Sequence, residues 1–76
     1  MKYHERIRDI RLKSGETQQQ IASLLETSQQ AYLKYEKGVN EIPVWRIIKL
    51  CRHYNLSADY LLGLTDEPRP LDAKKP

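Results

Sequence analysis

Seventy-six residues make one domain at most, and a chain this short buries only about 60% of its unfolded surface, leaving little room for an enzyme cleft. Apolar residues at 39% and charged residues at 30% suit a soluble globular fold and argue against a disordered chain. The net charge of +3 permits a polyanionic partner without requiring one.

Cys51 is the single cysteine, so no internal disulfide is possible and a reducing cytoplasm is the expected compartment. The start of the chain, Met1 to Arg6, has no apolar run to act as a signal peptide. No apolar stretch approaches the ~20 residues that span a bilayer. Neither secretion nor a membrane partner is expected.

No period-2 alternation is sustained anywhere, whereas helical spacing recurs between short punctuated turns. An all-α fold of five helices is expected. The first helix is predicted over Tyr3 to Lys13, with Tyr3, Ile7 and Ile10 on one face and Arg6, Arg8, Asp9 and Arg11 turned elsewhere. Gly15 ends it, where a left-handed cap is needed. The second helix opens on a capping box, with Thr17 capping and Gln20 reaching back. Ile21, Leu24 and Leu25 make its stripe, and the small Ala22 lets another helix come close. It is predicted to end near Glu26.

Ser28 caps the third helix, which runs to about Lys37 and closes at Gly38. Its apolar edge is thin, consisting of Tyr32 and Tyr35 with Ala31 beside them. Gln29, Gln30, Leu33 and Lys34 point away, leaving that side free for a partner. A loop over residues 39–42 leads to Pro43, expected at the first position of a fourth helix. Val44, Ile47, Ile48, Leu50, Cys51 and Tyr54 give that helix the main core stripe, and Asn55 ends it. Ser57 caps a short fifth helix, Ala58 to Leu62, closed by Gly63. Residues 1–65 form the expected domain and 66–76 a flexible tail: Pro68, Pro70 and Pro76 break it up and its charges cancel.

The turn at Glu26 and Thr27 is so short that the helices around it must cross steeply. That is helix-turn-helix geometry, in which the second helix of the pair enters the major groove of DNA. The outward residues of the third helix suit base reading. A glutamine pairs in a bidentate way with adenine, which makes Gln29 and Gln30 candidates at the helix start. Leu33 is suited to a thymine methyl group, and Lys34 and Lys37 reach guanine or phosphate. Gln18, at the start of the second helix, is placed for phosphate. Cys51 and His53 are two apart on a helix and face different ways, so they form neither a dyad nor a metal pair. No phosphate loop or zinc spacing appears. No enzyme activity, metal, cofactor or small-molecule ligand is expected.

The blocks from Thr17 to Ala22 and from Ser28 to Gly38, with Ile7 to Arg11 before them and Ser57 to Asp66 after, resemble the Cro/CI-type helix-turn-helix. This type is also called the xenobiotic-response-element family. The likeness covers roughly residues 3 to 66, with five blocks in order at the right separations. It implies a compact, five-helix, lambda-repressor-like domain. The implied role is sequence-specific transcriptional regulation, chiefly repression, by a homodimer on double-stranded DNA. Matched position by position, it implies base contacts from Gln29, Gln30, Leu33 and Lys34 and phosphate contacts from Gln18, Lys37 and Asn40. It also implies a structural ion pair between Arg11 and Glu36, of a kind whose disruption costs ~3–5 kcal/mol when buried. Tyr60 and Leu64 are candidates for the dimer seam. Two departures stand out. Glu26 occupies a turn position often held by glycine, and if that position needs positive φ the strain is of order 1 kcal/mol. Tyr32 replaces the usual aliphatic residue, so its hydroxyl needs a partner or an exit to water. The competing reading is a protein-interaction module, such as an antitoxin or anti-repressor, using Leu33, Trp45 and Leu64.

Overall fold

The structure, a computed structural model, describes residues 1–71; the last part of the expected tail, residues 72–76, lies outside the described residues. The described residues form five α-helices and no strand: α1 Tyr3–Lys13, α2 Gln18–Leu24, α3 Gln29–Glu36, α4 Val44–Tyr54 and α5 Ala58–Leu61.

Local chemistry accounts for most of the boundaries. At the start of α2 the backbone N–H of Gln20 donates to Thr17 Oγ1 at 3.1 Å, and Thr17 N–H donates to Gln20 Oε1 at 2.8 Å. Two of the four amides that a helix start leaves unpaired are thereby satisfied. Ser28 Oγ accepts from Ala31 N–H at 3.1 Å, and Ser57 Oγ from Tyr60 N–H at 3.3 Å. Asn55, at φ +54°, ends α4 in the left-handed conformation that asparagine tolerates. Pro43 stands one position earlier than expected. Its ψ of 147° is extended, so it caps α4 from outside the first turn. Gly63, at φ +81°, is required twice over, because a Cβ there would sit 2.4 Å from the Met1 carbonyl oxygen.

The helices bury one shared core. Ile7 of α1, Ile21, Ala22 and Leu25 from the α2 region, Tyr32 and Tyr35 of α3, Ile42, Ile47, Leu50 and Cys51 around α4, and Leu61 of α5 all belong to it. α3 packs on α2 and α1, while α5 packs on α4 and α1. Ala22 is fully buried where α3 crosses.

Two expectations need correction. Helical spacing puts Arg6 and Arg11 outside the core face, yet they are 3% and 7% exposed. Both are drawn inward by partners distant in sequence. Arg6 donates to the carbonyls of Tyr60 (2.7 Å) and Thr65 (3.2 Å), pairs with Asp66 (2.8 Å) and lies 4.0 Å over the Tyr60 ring. Conversely, helical spacing puts Val44 and Ile48 in the core stripe of α4, but they are 74% and 44% exposed. The apolar arc of α4 is wider than the arc that faces the core. Its surplus lines an open groove with Tyr3, Ile42, Leu62 and Leu71. Residues 66–71 have no regular secondary structure, but Arg69 O accepts from Ser57 N–H at 2.8 Å and Asn55 O accepts from Leu71 N–H at 3.3 Å.

Candidate nucleic-acid interface

The turn between α2 and α3 is closed by its own backbone. Thr27 N–H donates to Ala22 O at 2.9 Å and Glu26 N–H to Ser23 O at 3.1 Å. This pair of bonds wraps a helix end around one left-handed residue. That residue is Glu26, at φ +60°. The position therefore does require positive φ, and glutamate holds it at a strain of about 1 kcal/mol. The Glu26 side chain reaches Lys49 Nζ at 3.3 Å in an exposed pair.

Beyond the turn, α3 presents two unlike sides. Tyr32, Tyr35 and Glu36 are buried, with the tyrosine rings edge-on at 6.3 Å. Gln29, Gln30 and Lys34 are exposed on the other side, and Leu33 is half-buried between the two. Lys37 caps the helix C-terminus and is exposed, as is Asn40, whose N–H donates to Lys34 O at 3.3 Å. Gln29, Gln30, Leu33, Lys34, Lys37 and Asn40 thus lie on α3 or in the loop leaving it. Tyr60 is half-buried beneath Arg6, and Leu64 is 76% exposed.

Arg11 and Glu36 tie α1 to α3. Arg11 Nε donates to Glu36 Oε2 at 2.6 Å and its Nη2 to Glu36 Oε1 at 3.0 Å, a two-pronged pair between almost fully buried side chains. Its Nη1 donates to Glu16 O at 2.9 Å. Gln18 joins the same group, donating from Nε2 to Glu36 Oε1 at 3.2 Å. Its side-chain carbonyl oxygen stays outside that bond. Burial alone raises the Glu36 carboxyl, but the hydrogen bonds from Arg11 and Gln18 and the guanidinium charge outweigh it and hold it below the usual carboxylate range. The same bond holds the Arg11 guanidinium above its ordinary value. The Tyr32 hydroxyl lies near Glu36 yet has no hydrogen-bond partner among the described residues. Burial first and the neighbouring carboxylate second push its ionisation well up.

Several residues that organise this region carry no such role in the sequence reading. Glu16 gathers His53 Nε2 at 2.6 Å and the Tyr54 hydroxyl at 2.8 Å, tying the segment before α2 to the end of α4. Burial works to raise the Glu16 carboxyl, and the bonds from His53 and Tyr54 overcome it, leaving it low. Arg46 is spent on the α2–α3 turn. All of these contacts span 11 to 38 residues, beyond the reach of any local pattern. Burial pushes the Cys51 thiol up, and no group of three or more His, Cys, Asp or Glu that could hold a metal occurs among the described residues.

The helix-turn-helix family matches residues 7–61, from the middle of α1 to the end of α5. The chain belongs to this family. The Cro/CI-type likeness of its sequence lies within it. YobD of Bacillus subtilis (strain 168), an uncharacterized HTH-type transcriptional regulator, is 34% identical over 73 residues, spanning 96% of this chain and 65% of YobD. The HTH-type transcriptional regulator ImmR of the same organism is 33% identical over 63 residues, spanning 83% of this chain and 50% of ImmR. A transcriptional regulator from Listeria innocua, known from its crystal structure, shares the fold with a TM-score of 0.80 at 26% identity, over 87% of this chain and 62% of that one. The chain therefore spans only about half to two thirds of the length of these helix-turn-helix proteins.

Proposed function

We propose that this chain is a sequence-specific reader of double-stranded DNA, acting as a homodimeric transcriptional regulator that represses by occupying a promoter. The observation that carries the reading is the exposed polar edge of α3, where the side chains of Gln29, Gln30 and Lys34 make no hydrogen bond or ion pair among the described residues, on a helix anchored from behind by Tyr32, Tyr35 and Glu36. In the major groove Gln29 and Gln30 meet adenine edges, Lys34 meets guanine, and the half-buried Leu33 meets a thymine methyl group. Gln18, Lys37 and Asn40 take the flanking phosphates. The names of YobD and ImmR support a regulatory role.

Two copies read half-sites about 34 Å apart on one face of the duplex. Leu64, exposed beside the half-buried Tyr60, supplies the apolar seam between them, and the cytoplasm is where such a regulator works. A protein-interaction role has one observation in its favour, the apolar groove lined by Val44, Ile48, Leu62 and Leu71. Selection of bound duplexes from a random pool separates the readings. A DNA reader enriches a palindromic motif with half-sites about 10 base pairs apart, and its affinity falls steeply with salt as counterions are released. Failure to enrich any motif removes the proposal.

A further inference from the structure

The turn that aims α3 is held from outside as well as by its own backbone. The Leu25 and Glu26 carbonyls lie just past the end of α2, where the helix dipole is negative. Both accept from one side chain: Arg46 Nε donates to Leu25 O at 2.8 Å, and Arg46 Nη2 to Glu26 O at 3.2 Å. Its remaining nitrogen, Nη1, donates to the Tyr35 hydroxyl at 3.1 Å, on the buried side of α3. Trp45 covers the guanidinium, with its ring centre 4.5 Å away. Arg46 belongs to the first turn of α4, a helix fixed in the core through Ile47, Leu50 and Cys51.

We propose that Arg46 is a positioning residue, a clamp from α4 that fixes the angle at which α3 is presented to DNA. Three features lead there. The carbonyls it holds flank the one strained non-glycine residue of the turn, Glu26 at φ +60°, and such a conformation persists only where its surroundings over-determine it. The same fork reaches the turn and α3 together, so the two cannot tilt apart without breaking a charge-assisted bond. Each of its three nitrogens already donates within the fold, which separates it from Lys34 and Lys37 as a direct contact. A rigid planar fork suits this three-way grip; the single ammonium of lysine does not. The inference rests on the DNA-reading role of α3 for its consequence, but the clamp itself is testable without DNA.

The test compares Arg46→Met, Arg46→Lys and, as a control for lost charge, Arg52→Met. Arg52 is exposed on the same helix and makes no hydrogen bond or ion pair among the described residues. Amide hydrogen exchange is followed over residues 25–31. Affinity is measured for the duplex that the wild-type chain selects and for a random-sequence duplex at one salt concentration. Arg46→Met is expected to speed exchange at the turn and to weaken the selected duplex about ten-fold or more, with the random duplex no more affected than in Arg52→Met. Arg46→Lys, which keeps the charge and the fold, falls between wild type and Arg46→Met on both readouts. Unchanged exchange in the Arg46 variants overturns the clamp. So do equal losses on the two duplexes, matching Arg52→Met. If the wild-type chain selects no duplex, the DNA reading fails, and exchange at residues 25–31 alone decides whether Arg46 holds the turn.

Discussion

Tyr32 is the residue whose chemistry fits its surroundings least well. It is fully buried at the hub of α3, where it packs against Tyr35, and its hydroxyl has no hydrogen-bond partner among the described residues. A buried polar group in that state costs about 1–3 kcal/mol of desolvation, while the ring still contributes its full apolar burial. Tyr32→Phe keeps the ring and removes only the oxygen. It is expected to leave stability unchanged or to raise it by up to about 1 kcal/mol, read from the midpoint of urea unfolding. A loss above about 1 kcal/mol means that the hydroxyl is bonded after all, with Glu36 the nearest acceptor.

The elements of this fold are specified mainly at their ends. Glu26 shows how much a turn can demand of one residue. Its positive φ strains any side chain, and its ion pair with Lys49 is exposed and worth at most about 1 kcal/mol. Replacing it with glycine relieves the strain, whereas alanine keeps the strain and loses the pair. Glu26→Gly is therefore expected to unfold at higher denaturant than Glu26→Ala, by about 1 kcal/mol. Equal stabilities contradict the strain. The caps built by Thr17 with Gln20, by Ser28 and by Ser57 are readable from the chain because each bond spans three residues. For the same reason the ends of α1 and the outward edge of α3 follow from local spacing. Arg6 and Arg46 are not readable in this way. The oxygen partners of Arg6 lie 54 to 60 residues away and the partners of Arg46 11 to 21, and nothing nearby marks an arginine as internal. The exposure of Val44 and Ile48 was hidden by a different fact. Helical spacing shows which residues share a face but not how wide a neighbour covers it.

At the scale of the whole molecule, α1 joins two units that Arg46 and Glu16 also bridge. One unit is the α2–α3 pair, tied to α1 by Arg11 and Glu36; the other is the α4–α5 pair, tied to it by Arg6. Buried tyrosines and a buried ion pair hold the rear of α3, so its outer edge is free to vary without loss of the fold. Whether this edge reads DNA is decided by the double variant Gln29→Ala with Gln30→Ala. Both side chains are exposed, so thermal stability should shift by no more than about 0.5 kcal/mol. Affinity for the wild-type duplex should fall toward that for random sequence, since each bidentate base contact is worth about 1–3 kcal/mol. A double variant that still prefers the same duplex as strongly as the wild-type chain means that this edge does not read DNA.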